Sequence, residues 1–176
     1  NHATASGGAL TTTAGVHILR NCSVMSNTCG GDSCGSLGGD SYFFTGTVLT
    51  DNSPSNCSPS ININDESRWN LSDDSSCGFS ARHGWDDVDA QLTPFSLVGD
   101  EPSLPRPRPG SPLIDATGRN KWIELRDQTG LQAPIDGNGD GTPERDIGAV
   151  EFDPTVFVNG FEDGTMDAWV VGPDRR

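Results

Sequence analysis

Positive charge is the scarcest commodity in this chain. Eleven Lys and Arg face 25 Asp and Glu, for a net charge of −14 over 176 residues, and Lys121 is the single lysine. Binding to nucleic acid or to an anionic membrane needs basic patches, so both partner classes are excluded. No run of eighteen apolar residues occurs, so no membrane span is expected. No leader of the secretory type is present either. The chain starts at Asn1 in mid-pattern, which reads as a mature or trimmed piece of something longer. Helical faces with a 3.6-residue period are hard to find, and only 32% of residues are hydrophobic, thin for a compact α/β enzyme. Cys-x-x-Cys is missing, and His2, His17 and His83 stand singly, so zinc-ligand spacing is absent. Gly-x-Ser-x-Gly and a Gly-rich loop ending in Lys-Ser/Thr are missing too, which removes the serine-nucleophile and phosphate-cradle signatures.

What is present in quantity is turn chemistry: 22 Gly, 12 Pro and many Asn, Asp, Ser and Thr. Short strands lie between these turns. Val16-His-Ile-Leu19, Ser23-Val-Met25, Tyr42-Phe-Phe44 and Thr47-Val-Leu-Thr50 are strand-like, with Asn21, Asn27 and Asp51-Asn52 at their ends. The order Gly-Gly, strand, strand, Asn turn occurs twice, offset by thirty-one residues from Gly7-Gly8 to Gly38-Gly39. With the Gly/Ser/Cys insertion of residues 29–36 removed, a coil of twenty-odd residues remains. This pattern predicts an all-β fold: right-handed parallel β-helix coils followed by a loop-rich C-terminal cap. Val16, Ile18, Val24, Phe44 and Val48 are the expected inward residues. Gly and Asn suit the corners because they tolerate left-handed backbone, and stacked Asn can hydrogen-bond from coil to coil. One coil cannot bury its core alone. Upstream coils or another copy are therefore expected at the exposed N-terminal end.

Three segments follow: coils over 1–79, a loop-rich cap over 80–151 and a tail over 152–176. Ser60-Ile-Asn-Ile-Asn64 alternates like a strand, while residues 80–110 read as a Pro-rich connection along the outside, with Arg106 and Arg108 in an extended stretch. Cys22, Cys29, Cys34, Cys57 and Cys77 in an acidic, Lys-poor chain point to an extracytoplasmic, disulfide-bonded protein. Cys29 and Cys34 suit a small loop, and Cys57 and Cys77 a larger one, with Cys22 left over; other pairings remain open. Asn21, Asn56 and Asn70 head Asn-x-Ser sequons.

The densest chemistry is the loop Asp136-Gly-Asn-Gly-Asp-Gly-Thr-Pro-Glu-Arg-Asp146. Alternating oxygens on a Gly-rich loop can wrap Ca²⁺. Asp136, Asn138 and Asp140 would give side-chain oxygens, Thr142 a carbonyl, Asp146 a closing carboxylate, and Glu144 a water-mediated contact. Ile147 stands where an EF-hand needs its twelfth-position Glu, so the loop is expected to be of another kind. For catalysis the densest group is Asp86, Asp87 and Asp89 with Arg82 and His83. It lies in a loop-rich segment, and no catalytic residue is assigned. Trp69, Trp85, Trp122 and Trp169 read as core and loop anchors ahead of sugar platforms.

Several motifs then occur in order: Trp69-Asn-Leu-Ser-Asp-Asp-Ser-Ser-Cys77, Asp89-Ala-Gln-Leu92, Pro109-Gly-Ser-Pro-Leu-Ile-Asp115, Asp127-Gln-Thr-Gly130 and Asp146-Ile-Gly-Ala-Val-Glu151. With them, residues 1–151 resemble the C-terminal part of secreted bacterial β-helix proteins of the pectin-lyase-like superfamily. More narrowly, they resemble choice-of-anchor Q proteins with polymorphic outer-membrane-protein-like coils. The tail Phe157-Val-Asn-Gly-Phe-Glu-Asp-Gly-Thr-Met-Asp-Ala-Trp169 is similar to a C-terminal Gly-Phe-Glu signature of secreted gammaproteobacterial proteins, with Asn159 and Asp163 departing from it. The resemblance implies a right-handed β-helix, export, frequent attachment to the bacterial cell surface and a Cys57–Cys77 bridge. It implies no single reaction, because this fold hosts enzymes, adhesins and passive surface repeats alike. The expectation is a non-enzymatic extracellular fragment with a structural, adhesion or assembly role, with surface glycans as a partner class and self-association through the N-terminal end. The alternative is the terminal part of a carbohydrate-active β-helix enzyme, a polysaccharide lyase or hydrolase.

Overall fold

The structure is a computed structural model that describes residues 1–4, 7–31, 34–98, 101–118 and 125–155. Its elements are short strands and one 3₁₀ turn. The strands are β1 (His2–Ala3), β2 (Leu10–Thr11), β3 (Val16–Arg20), β4 (Ser23–Met25), β5 (Thr28–Cys29), β6 (Leu37–Gly38), β7 (Ser41–Thr45), β8 (Val48–Thr50), β9 (Asn62–Ile63), β10 (Leu71–Ser72), β11 (Ser96–Val98) and β12 (Glu101–Ser103), and the 3₁₀ turn is Phe79–Arg82. The fold is all-β, and no helix among the described residues is long and apolar enough to cross a membrane.

Pairing is parallel throughout the first part of the chain. β1 pairs with β5, β2 with β6, β3 with β7 and then β9, and β4 with β8 and then β10. Each partner lies one long step along the chain: Ser23 meets Val48 and Val48 meets Leu71. Parallel neighbours need such a crossover, because a hairpin can only join antiparallel strands. Corners recur at the same step. Arg20, Thr45 and Arg68 share one cross-strand row, and the next residues, Asn21, Gly46 and Trp69, all have φ between 47° and 61°. Ser26 and Asp51 repeat this after β4 and β8, at φ 53° and 56°. Left-handed backbone costs an L-residue about 1–2 kcal/mol, so its repetition on successive strands is a property of the corner.

The inward face is built by alternation. Tyr42 and Phe44 are fully buried and their rings stack, with centroids 5.5 Å apart; Phe79 meets Phe44 edge-on at 5.5 Å. Leu37, Leu49, Cys57, Ile63 and Cys77 complete this cluster, with Leu19 and Val24 at its margin. A second cluster joins Val48 and Leu71 to Ala90, Leu113 and Ile147. In β4, β8 and β10 the row Ser23, Val48, Leu71 therefore faces one way and the row Val24, Leu49, Ser72 the other. Segments 111–116 and 145–150 cover the outer row: Ile147 donates to the Leu113 carbonyl, Gly148 to the Gly46 carbonyl, and Ala149 to Ser23 Oγ.

The structure departs from the sequence reading in four places. Val16 and Ile18 point outward, 61% and 56% exposed, while His17 and Leu19 turn inward, and Val48 faces Leu113 and Ile147 in the outer cluster instead of the aromatic core. The run Val-His-Ile-Leu is apolar in both phases, and the Tyr42 ring decides: His17 lies against it at 5.7 Å. The Gly-Gly pairs are not equivalent, since Leu10 pairs with Leu37 and Thr11 with Gly38. Gly38 and Gly39 thus oppose Thr11 and Thr12, and Gly39 is where the chain turns under Thr12 at φ 100°. The strand expected over residues 60–64 shrinks to β9. Finally, the connection over 80–110 contains the antiparallel pair β11–β12, too short for a periodic signal. Pro102 fits there because a two-stranded pair leaves an open edge on each strand.

Candidate functional site

The acidic loop is held by its own side chains. Asp136 accepts the Gly139 N–H (2.8 Å) and the Gly141 N–H (2.8 Å), Asn138 Oδ1 accepts from Asp140 N, and Asp140 accepts from Thr142 N. These are the Asx turns that Asp and Asn form in Gly-rich chain. Asn138 and Asp140 are exposed, and Asp136, Thr142 and Glu144 are half-buried. Asp146 is not with them at the surface. It is 1% exposed, and its carboxylate accepts the N–H groups of Asp115 (2.8 Å) and Phe152 (2.5 Å). The loop is linked to it through Asp115, whose own oxygens accept from Asn138 N (2.7 Å) and Glu144 N (3.2 Å). No group of three or more His, Cys, Asp or Glu among the described residues is placed to hold a metal ion. The five residues therefore divide into an outer set, Asp136, Asn138, Asp140 and Thr142, and an inner one, Asp146.

Next to the loop lies a group of four carboxylates, of which the sequence reading gave a role to Asp146 alone; Asp127, Asp146 and Glu151 are buried and Asp115 is half-buried. Asp115 and Glu151 close quoted motifs, Asp127 and Asp146 open them, and the structure brings all four together. Glu151 accepts from Ile135 N and Asp146 N, both at 3.3 Å, and Arg145 Nε approaches its carboxylate at 3.5 Å. Asp127 accepts the N–H groups of Thr129, Leu131 and Glu151. Burial and then the neighbouring Glu151 charge push the Asp146 carboxyl up to about 8, outweighing its two N–H bonds. Burial likewise pushes Glu151 up to about 7, against the pull of the Arg145 guanidinium. A signal was present in the sequence: each of these acids closes or opens a short motif, and Asp115, Asp146 and Glu151 abut Leu-Ile, Ile or Ala-Val. The chemistry is structural, since every oxygen named here ties one backbone segment to another.

The remaining candidates also find structural work. Asp86 accepts from Phe79 N (2.9 Å) and Ser80 N (2.7 Å) at the start of the 3₁₀ turn, and Asp89 closes a turn on Gln91 N. Arg82 pairs with Asp65 at 3.3 Å, while His83 and Asp87 sit at left-handed corners. Asn56 and Asn70 are buried. Asn56 Nδ2 donates to Ser72 Oγ and Asp73, and Asn70 Oδ1 accepts from Thr47 N. A glycan at either sequon is incompatible with this packing. Asn27 Nδ2 donates to Asn52 Oδ1 at 3.0 Å, and Asn1 Nδ2 to Asn27 Oδ1 at 3.0 Å, a ladder of the expected kind. Cys29–Cys34 and Cys57–Cys77 are disulfides, and Cys22 is free and half-buried. Trp85 is 41% exposed and Trp69 half-buried. Trp122, Trp169 and the Gly-Phe-Glu tail lie outside the described residues.

No protein-family model, curated protein or solved structure matches the chain.

Proposed function

We propose that this chain is part of a right-handed parallel β-helix with a structural, adhesion or assembly role outside the cell, at a bacterial surface. The observation that carries the reading is the repeated parallel step: Ser23, Val48 and Leu71 in one row, Arg20, Thr45 and Arg68 in another, each followed by a left-handed corner. Stacked turns of chain with an aromatic core and an asparagine ladder are what a solenoid needs. Two disulfides and the acidic composition support an extracellular setting. The motifs that resemble those of pectin-lyase-like and choice-of-anchor Q proteins agree with it.

In this reading the acidic loop is a clasp over the C-terminal part of the chain. Ca²⁺ would be held by Asp136, Asn138, Asp140 and the Thr142 carbonyl, with Asp146 ordering the chain from below. Carboxylates that accept one N–H retain lone pairs for an ion, which keeps this donor set suitable. The N-terminal end supports stacking on upstream coils or on a second copy. Among the described residues, β1 to β4 each pair along one edge only, and Leu19 and Val24 are only partly buried.

The test is an assay of acidic and neutral polysaccharides with calcium present, alongside light scattering over a concentration series. The structural reading expects no turnover and mass that rises with concentration. Turnover that disappears in Asp87→Asn or Asp89→Asn would establish the carbohydrate-active alternative.

A further inference from the structure

The outer face of β3, β7 and β9 carries a trough of about 530 Å³, lined by nine residues that include Val16, Ile18, Arg20, Phe43, Arg68 and Trp69. Cross-strand register sorts them into rows. Ile18 stands beside Phe43, and Arg20, Thr45 and Arg68 form the next row. Two strand spacings separate Arg20 from Arg68, roughly 10 Å between backbones. The Arg20 guanidinium lies over the Phe43 ring at 6.0 Å, and the Arg68 guanidinium over Trp69 at 5.7 Å. Arg68 Nε also donates to the Glu66 carbonyl at 3.0 Å, which anchors that side chain.

We propose that this face binds a short, extended acidic peptide of a partner protein, with an apolar side chain on the same side of the peptide as its carboxylates. Three observations select that occupant. Two arginines in one row, against Glu66 as the one carboxylate of the lining, leave the trough net positive on a chain with net charge −14 and select an anion. The ring faces of Phe43 and Trp69 are taken up by guanidinium groups, so they are poor platforms for a sugar ring, whereas Val16 and Ile18 offer exposed aliphatic surface. Nine lining residues fall short of the roughly 20–30 per side of a stable interface between folded proteins, so the size fits a segment. In an extended peptide, side chains two apart lie on one side about 7 Å from each other. Long arginine side chains span the difference. The inference goes beyond the coil reading and does not need it, because it uses only this face.

The test uses a fluorescein-labelled hexapeptide Leu-Ser-Asp-Ser-Asp-Ser, whose leucine and two aspartates share one side of the extended chain, titrated with the full chain at low salt and read by anisotropy. A saturable rise is expected that weakens as salt is added. Arg68→Gln and Ile18→Asn should each raise the dissociation constant about fivefold or more, and circular dichroism melts should show both variants folded. Val16→Thr, a milder change on the same face, should weaken binding in the same direction. No anisotropy change up to about 1 mM chain, far above the range of useful peptide affinities, would overturn the proposal. Equal binding of the same peptide with asparagine in place of both aspartates would overturn it as well. So would stronger binding of a uronate tetrasaccharide that is lost in Arg68→Gln, which would give the face to a glycan.

Discussion

Two sheets of this molecule are made from the same turns of chain and end differently. In β4, β8 and β10 both faces are covered: Leu49 packs inward on the aromatic cluster, and Val48 and Leu71 pack outward on Leu113 and Ile147. In β3, β7 and β9 only the inner face is covered among the described residues, and Val16 and Ile18 are exposed. Parallel sheets are usually covered on both faces, with apolar residues in both phases of their strands. The two strand sets meet that composition almost equally, Val16-His-Ile-Leu19 against Ser23-Val-Met25. The difference arises far along the chain, where segments 111–116 and 145–150 return to one sheet and bypass the other. Cover is therefore a property of the C-terminal carboxylate network, which holds those segments in place.

The sharpest way to break the comparison is to remove equal apolar volume from each outer face. Leu113→Ala should cost about 2–5 kcal/mol, the range for a buried leucine that leaves a cavity. Ile18→Ala should stay within about 0.5 kcal/mol, as for a surface change. Urea unfolding gives both numbers. Similar costs would mean that the outer face of β3 is covered in solution.

The Cys57–Cys77 bridge tests what the sheets share. Both sulfurs lie in the inner cluster, and they close a separation of 20 residues. Replacing both with alanine should cost about 3 kcal/mol. Hydrogen exchange should speed up at β7 and β8 alike, whereas Leu113→Ala should act on β8 first. A loss confined to one sheet would show that the two do not unfold as a unit.

Alkaline pH should act on the covered sheet alone. Asp146 and Glu151 have folded values of about 8 and about 7, above the ordinary 3.8 and 4.5. Their contribution is complete below the ordinary values and is lost as pH rises through 7 and 8, because the folded state must then ionise buried groups. Arg145, Asp127 and Asp115 face the same pair. In EDTA, Tm should fall between pH 6 and pH 9 by roughly 3 °C or more, about 1 kcal/mol. Glu151→Gln should flatten that slope even if it lowers stability at every pH. A Tm that is level over this range in the unaltered chain would mean that the pair ionises without penalty.

The sequence carried the strand positions because Tyr42-Phe-Phe44 and Thr47-Val-Leu-Thr50 sit between Asn and Gly turns, and the corner residues matched at Asn21 and Asp51. It could not carry the phase of β3. Val16, His17, Ile18 and Leu19 are all acceptable inside, and only the ring of Tyr42, twenty-five residues on, chooses between them. The coil register was misread because Gly-Gly pairs look alike locally, whereas Leu10 and Leu37 are the residues that pair. The buried acids were visible as motif ends, but their partners are backbone N–H groups as far off as Asp146 is from Asp115, and no side-chain pattern announces a backbone donor.

The smallest expected effect belongs to calcium, and it sharpens the comparison because only the covered sheet lies under the loop. The outer donors, Asp136, Asn138, Asp140 and Thr142, already hold the loop by hydrogen bonds to its own backbone, so an ion would find it shaped and would have little left to fold. Binding that favours the folded state at about five times the dissociation constant adds about 1 kcal/mol, roughly 3 °C in Tm. Protection from hydrogen exchange should rise at Gly139, Gly141 and Ile147 and stay unchanged in β7. Asp136→Asn should remove the calcium response. If Asp146→Asn also removes it, the buried carboxylate helps hold the ion; if the response survives, Asp146 serves the inner network alone. An unaltered chain whose Tm and exchange are the same in EDTA and in calcium would strip the ion from the proposal and leave the clasp to hydrogen bonds.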